Sequence, residues 1–413
     1  FVEQLVYMED VTNSLVNSGE KFKDIEAALL EAKELENPDL NYKVVPFFNN
    51  NQFFLLATVK YNDVRLVGAP PSSIGKFGAD TDNWVFPRHT GDFSLFRVYD
   101  DNGNAFTPAQ HLKVNIAPRT PGEFTMVFGY PGRTQEYLTA VQMDQLVNVE
   151  NARRVEIRNV LLSIMDAEMR SDAEVQLKYA SKYARIANGW KKWIGQIEGV
   201  QFSKGLDRKR KLEAEFTARI AADDALWDTY SGLLNEIAVN TTQIAEGQSK
   251  RNEFIETIYY GMEWFALMSK LQRAKSDLDM DAAVVEFHQN YSRTVSEKTT
   301  AAMLSMALET FPDLLGDMDE ATFVSTVHNE IDALVALATK DEPLELAVDA
   351  PTANNFSTAA FQAFYAVSPD NELLQRATQL SAQYMRALME VFPERNFYPD
   401  ANSTLRVTYG KLE

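Results

Sequence analysis

Cysteine is absent from the 413 residues, which excludes disulfides and thiolate metal ligands within this span and says nothing about compartment. Histidine is scarce. His89, His111, His288 and His328 are the four present, and none sits in an HExxH pattern, so the usual zinc ligand sets are missing. His89 and Asp92 are spaced HxxD, but on a strand positions i and i+3 point to opposite faces. Positive charge is in deficit: 40 Lys and Arg against 59 Asp and Glu give a formal net charge of −19. That balance works against binding nucleic acid or an anionic membrane through a general field, and it favours solubility. No apolar run reaches the roughly 18 residues a membrane-spanning helix needs. The opening FVEQLVYMED lacks the basic-then-apolar pattern of a secretory signal. Phosphate-binding glycine loops are also missing, since Gly129-Tyr130-Pro131-Gly132 reads as a turn.

Hydrophobic residues nevertheless make up 45% of the chain, enough for a sizeable core and more than one domain. Three textures follow one another. In residues 1–38, Leu5, Met8, Val11 and Leu15, then Phe22, Ile25 and Leu29, recur at helical spacing and predict two leading helices that stop near Glu36-Asn37-Pro38. Residues 39–145 are β in character. Gln52 to Val59 and Val64 to Val67 flank the turn-like Tyr61-Asn62-Asp63 and predict a hairpin. Phe93 to Tyr99, closed by the turn Asp100-Asp101-Asn102-Gly103-Asn104, and Phe124 to Tyr130 predict two more strands. Proline then disappears between Pro131 and Pro312. With strong helix formers throughout, and Leu146, Val149, Ala152 and Val155 three apart, residues 146–395 predict a large helical domain. Alternation from Ser403 to Tyr409 predicts a return to strand. The fold class is therefore α+β, with domains at 1–145 and 146–395 and a return strand in 396–413.

The segment most loaded with chemistry is 76–99, KFGADTDNWVFPRHTGDFSLFRVY, where a polar loop enters an apolar strand at Asp92. A lone aspartate there is by default a structural carboxylate that caps the loop. The sharper reading is an aspartate that orients a catalytic histidine, sheltered from water by Phe93-Ser94-Leu95-Phe96. Spacing alone does not choose between them. Around it, Arg88 reads as a brace to Asp80 or Asp82, His89 as a backbone hydrogen bonder, and Gly91 as a site of positive φ or close backbone approach. Trp190 and Trp193 read as core.

VRLVGAPPSSIGKFGADTDNWVFPRHTGDFSLFRVY at 64–99, FTMVFGYPGRT at 124–134 and NSTLRVTYGK at 402–411 resemble the bacterial dipeptidyl-peptidases of serine-peptidase family 46, the dipeptidyl-peptidase 7 and 11 group. The resemblance implies a chymotrypsin-like β-barrel portion with a large α-helical domain inserted over the active-site cleft. It implies that Asp92 is the triad aspartate and that Asn83 and Trp84 hold the free amino terminus of the substrate. Asn188, in Ile186-Ala187-Asn188-Gly189-Trp190, is the helical domain's candidate for the same anchor, against the bland reading of a solvated helix residue. The family's nucleophilic serine and base histidine are expected outside this span, leaving one triad member here and an isolated span without activity. The implied activity is release of dipeptides from oligopeptides in the periplasm or at the cell surface, with no metal or cofactor, no nucleic acid, no membrane insertion, and a homodimeric parent. The alternative from another class is a non-catalytic peptide- or protein-binding helical module of a pseudo-enzyme. A metal-dependent aminopeptidase is the weaker rival, for which no ligand set exists.

Overall fold

The computed structural model of the chain describes residues 1–16, 22–75, 77, 84, 85, 88–337 and 350–413. Its first layer is a three-stranded antiparallel sheet in the order β1 (Val2–Asp10), β3 (Gln52–Tyr61), β2 (Asn41–Phe47). The central strand β3 is the most apolar of the three. Its Phe53 and Leu55 share one face by the two-residue strand period and meet Val11 and Leu15 of the segment carrying α1 (Thr12–Val16). Ile25, Leu29 and Leu30 of α2 (Phe22–Glu36) close over that face. The loop between β2 and β3 runs through Phe48, Asn49 and Asn50 at φ of 50°, 53° and 68°. Consecutive left-handed residues are costly except where side-chain bonds hold them, and asparagine tolerates the region best of the polar residues.

Two expectations fail here. Residues 2–10 form a strand, not a helix, and the register between β1 and β3 shifts at Leu5/Tyr7. Leu5 and Met8 therefore belong to a pleated strand, while Val11 and Leu15 belong to the turn and helix after it. Pairing along a strongly apolar central strand overrides a spacing too short to specify a helix by itself. Nor do 52–59 and 64–67 form a hairpin. β3 is already flanked on both sides, so it has no free edge to offer β4 (Asp63–Gly68). Only Asn62 separates the two strands, yet β4 pairs with β5 (Leu95–Tyr99) in a separate two-stranded sheet. A third sheet joins β6 (Phe124–Gly129) to β7 (Arg406–Lys411), from Phe124 opposite Lys411 to Gly129 opposite Arg406. The turn expected at 100–104 is present, with the Asp100 carboxylate accepting from the backbone N–H of Asn102 and Asn104 at 3.0 and 2.8 Å.

Helices dominate from α4 (Ala140–Asp144) to α15 (Asn371–Val391). Between them lie α5 (Ala152–Ser171), α6 (Ala173–Phe202), α7 (Gly205–Ile220), α8 (Asp224–Tyr230) and α9 (Leu233–Glu253). They continue with α10 (Glu263–Arg273), α11 (Asp277–Gln289), α12 (Arg293–Thr310), α13 (Glu320–Leu337) and α14 (Pro351–Val367). Two π-helical stretches, Gln145–Asn151 and Phe254–Tyr259, widen the helical path just before α5 and just after α9. The larger core centres on Trp264 and Phe265, with Ile157, Met303 and Phe356 around them. A second core joins Phe216 and Ile220 of α7 to Tyr384 and Leu388 of α15. The β2–β3 loop is stitched to this layer. The Asn51 side chain donates to the Ala382 carbonyl at 2.8 Å and accepts from Arg386 at 3.2 Å. Among the described residues no helix is long and apolar enough to cross a membrane.

His328 on α13 is fully buried, with Nδ1 at 2.7 Å from the Val324 carbonyl and Nε2 at 3.0 Å from the Ser296 hydroxyl. Burial pulls its pKa below the ordinary 6.5, and the surrounding Glu297, Asp332 and Arg293 charges partly cancel. A histidine depressed in the folded state adds stability above its unfolded pKa and loses it as pH falls through the folded one. Urea denaturation should therefore show stability falling as pH drops below about 6.5, and less steeply in His328→Gln. In the second core, Leu388→Ala should cost about 2–5 kcal/mol, whereas Leu35→Ala, at a site 80% exposed, should stay within about 0.5 kcal/mol.

Candidate functional site

The segment leading to Asp92 is clamped before it reaches β5. The Gly91 N–H donates to the Ile74 carbonyl at 3.1 Å, and the Thr90 hydroxyl donates to the Gly75 carbonyl, both on α3 (Ser72–Gly75). A Cβ on Gly91 would lie 3.0 Å from the Ile74 side chain and 3.1 Å from its carbonyl. Of the two uses considered for this glycine, close backbone approach is the one that applies. Asp92 itself is exposed. The expected shelter is missing because Phe93, Leu95 and Phe96 are each 57% exposed, on a sheet that no third strand extends among the described residues. His89 meets the Phe77 ring edge-on at 6.2 Å.

Two of the three residues expected to anchor an amino terminus come together. The Trp84 indole Nε1 donates to Asn188 Oδ1 at 3.0 Å, across 104 residues of sequence. Trp84 adopts φ 64°, a strained value for a bulky residue that persists only where surrounding contacts fix it. One such contact is α6 itself, since a Cβ on Gly195 would lie 3.5 Å from the Trp84 carbonyl oxygen and 3.8 Å from its Cβ. Gly195 falls two helical turns beyond Asn188, on the same face. Trp84 remains 49% exposed, so the ring is both pinned and open to solvent. Asn83 lies outside the described residues.

Beneath that turn of α6 sits a buried polar network that sequence reasoning missed. Arg158 of α5 donates to both oxygens of Glu256 at 2.6 and 3.1 Å and to the Ile186 carbonyl at 2.7 Å. Its guanidinium also stacks on Trp193 at 4.3 Å and lies 5.5 Å from the Tyr260 ring. Both members of the ion pair are nearly inaccessible, at 8% and 4% side-chain exposure. Gly189 makes this possible, because a Cβ there would stand 2.4 Å from Arg158 Nη1. A glycine interrupting a helical pattern is the one signal in the sequence that flags such an approach. The acidic partners come from the widened helical stretches: Glu256 from the second, and Glu150, which accepts from Arg154 at 3.2 Å and from Asn252 at 3.0 Å, from the first. π-helical turns of this kind recur at functional sites. Trp193 is thus an aromatic platform for two arginines, with Arg154 at 5.3 Å, while Trp190 donates to Asn159 at 2.7 Å and packs against the larger core.

Comparison with known sequences settles the lineage. The pattern of peptidase S46 matches residues 1–413. The chain belongs to the peptidase S46 family. This S46 chain is 34% identical over 407 residues to the Asp/Glu-specific dipeptidyl-peptidase of Flavobacterium psychrophilum, covering 90% of this chain and 57% of that protein. It is 30% identical over 468 residues to dipeptidyl-peptidase 7 of Phocaeicola vulgatus, covering 100% of this chain and 64% of that one. The chain therefore spans about three-fifths of the length of these relatives. The crystal structure of Porphyromonas endodontalis DPP11 with the dipeptide Arg-Asp superposes with a TM-score of 0.85 at 24% identity, covering 99% of this chain and 66% of that chain. That likeness establishes a shared fold.

Removing one member of the buried pair in this S46 chain leaves the other charge uncompensated. Arg158→Leu should cost about 3–5 kcal/mol, and the double change Arg158→Met with Glu256→Met should recover a large part of that loss. Chemical denaturation of the two variants against the parent measures both.

Proposed function

We propose that this chain is the central part of a serine exopeptidase that releases dipeptides from the free amino terminus of oligopeptides. The observation that carries the reading is the Trp84–Asn188 contact. It joins the loop leading to Asp92 with the helical layer at a point where an ammonium group can be capped. Asn188 supplies a lone pair to the ammonium, the Trp84 ring supplies a wall and a cation-attracting face, and Asn83 adds a further amide. Holding the ammonium two residues from the scissile bond restricts cleavage to dipeptides, whatever lies beyond the cut.

In this reading Asp92 orients the imidazole of a histidine supplied outside this span, which in turn activates a serine also outside it. The serine hydroxyl attacks the carbonyl, the imidazole takes its proton and passes it to the leaving amine, and water then releases the acyl group. The exposure of Asp92 fits a carboxylate whose partner ring is delivered by another segment. The two-stranded sheets β4–β5 and β6–β7 are read as portions of a chymotrypsin-like barrel. The support is their uncovered apolar side chains, among them Leu66 at 63%, Phe124 at 64% and Val127 at 66% exposure. Oligopeptides as substrate, a periplasmic or cell-surface location and a homodimeric parent belong to the same proposal, on the strength of family membership.

Three measurements test it. In the full-length protein, Asp92→Ala should lower kcat by about 10⁴-fold with little change in melting temperature. Asn188→Ala should raise KM for peptides with a free amino terminus far more than for acetylated ones, and equal losses for both would sink the anchor. The 413-residue chain alone should not hydrolyse a dipeptidyl chromogenic substrate.

A further inference from the structure

Away from the Trp84–Asn188 contact, the helical layer holds a cleft of about 400 Å³ between α5, α6, α10 and α11. Its volume lies in the range that takes small organic molecules. The floor is apolar, with Leu161, Met165 and Leu267 facing in, and the aromatic rings of Tyr260 and Phe287 form part of the walls.

The polar groups of the cleft are unevenly shared. Four cations, Lys178, Lys182, Arg185 and Lys270, line it together with two carboxylates, Glu263 and Glu286. In a chain of net charge −19, that local excess of positive charge runs against the general field. Most of these groups are already engaged. Lys182 donates to Glu263 and to the Asn290 carbonyl, and Glu263 also accepts from the buried Tyr179 hydroxyl. Lys270 pairs with Glu286 at 2.8 Å, and Lys178 with Glu174 at 2.7 Å. Arg185 differs. It is exposed, it makes no hydrogen bond or ion pair among the described residues, and it acts on Glu286 only through longer-range attraction. A guanidinium with its whole donor fork available, set beside apolar walls, matches a planar carboxylate attached to an apolar body.

We propose that this cleft is a second ligand site, distinct from the amino-terminal anchor, for small carboxylates with an aromatic or aliphatic group next to the charge. The carboxylate takes the Arg185 fork, and the apolar group lies over Leu161, Met165 and Leu267. A blocked amino group is no obstacle here, because no part of the cleft is asked to recognise an ammonium.

N-acetyl-L-phenylalanine is the probe, with its neutral amide, N-acetyl-L-phenylalaninamide, as the matched control. Isothermal titration of the full-length protein should give saturable binding of the acid with a dissociation constant on the order of 1 mM, the strength reached by ligands of this size. The amide should bind about tenfold more weakly, and Arg185→Ala should weaken the acid by about the same factor, the worth of one charge-assisted contact. Arg185 is exposed, so the variant keeps its fold, and an unchanged melting temperature verifies that. No saturation up to about 20 mM, equal affinity for acid and amide, or undiminished binding by Arg185→Ala would each overturn the proposal. Because the probes carry no free amino group, none of these outcomes depends on whether Trp84 and Asn188 hold a substrate terminus.

Discussion

The helical side of the candidate site depends on one buried guanidinium. Arg158 ties three things at once: the Glu256 carboxylate, the Ile186 carbonyl on α6, and the Trp193 ring farther along the same helix beyond Asn188. Taking two charges out of water is expensive, and such pairs contribute little net stability compared with well-packed hydrocarbon. What they contribute is directionality. A planar fork with both carboxylate oxygens satisfied has one orientation, and through the Ile186 carbonyl that orientation is imposed on the helical turn presenting Asn188. Gly189 is the concession the backbone makes, since no other residue leaves room for the guanidinium.

Much of the architecture was legible in the sequence, for reasons that differ by region. The strands at 95–99, 124–129 and 406–411 announce themselves because apolar β-formers are bounded by turn residues, as at Asp100 to Asn104. The helical span is legible because nearly two hundred residues without proline, rich in Ala, Glu, Lys and Leu, leave few other options. Pairing was much less legible. Val64 to Val67 looks like the partner of 52–59, and the resolution lies in β1, some fifty residues upstream, which occupies the edge that a hairpin would need. The strand β1 was itself disguised, because four apolar residues spread over a strand, a turn and a helix mimic a single helical face.

The candidate site was legible only as far as its motif. Asn83, Trp84 and Asp92 stand out by resemblance, and Asn188, read against the bland alternative of a solvated helix residue, lies in contact with Trp84. Neither composition nor periodicity points to Arg158, since an arginine on an amphipathic helix normally faces water. The π-helical stretches that bring Glu150 and Glu256 into range have no sequence pattern of their own. The shelter expected around Asp92 failed because Phe93 and Phe96, though apolar, stand exposed beside a sheet of only two strands among the described residues.

The single-residue joint at Asn62 carries a mechanical implication. With only Asn62 between β3 and β4, the two-stranded β4–β5 ribbon has little freedom to pivot without dragging the three-stranded sheet along. That sheet is in turn hooked to α15 through Asn51. A displacement of α15 would therefore pass through Asn51 to the three-stranded sheet and, across a single residue, to the β4–β5 ribbon, with little length of chain to absorb it.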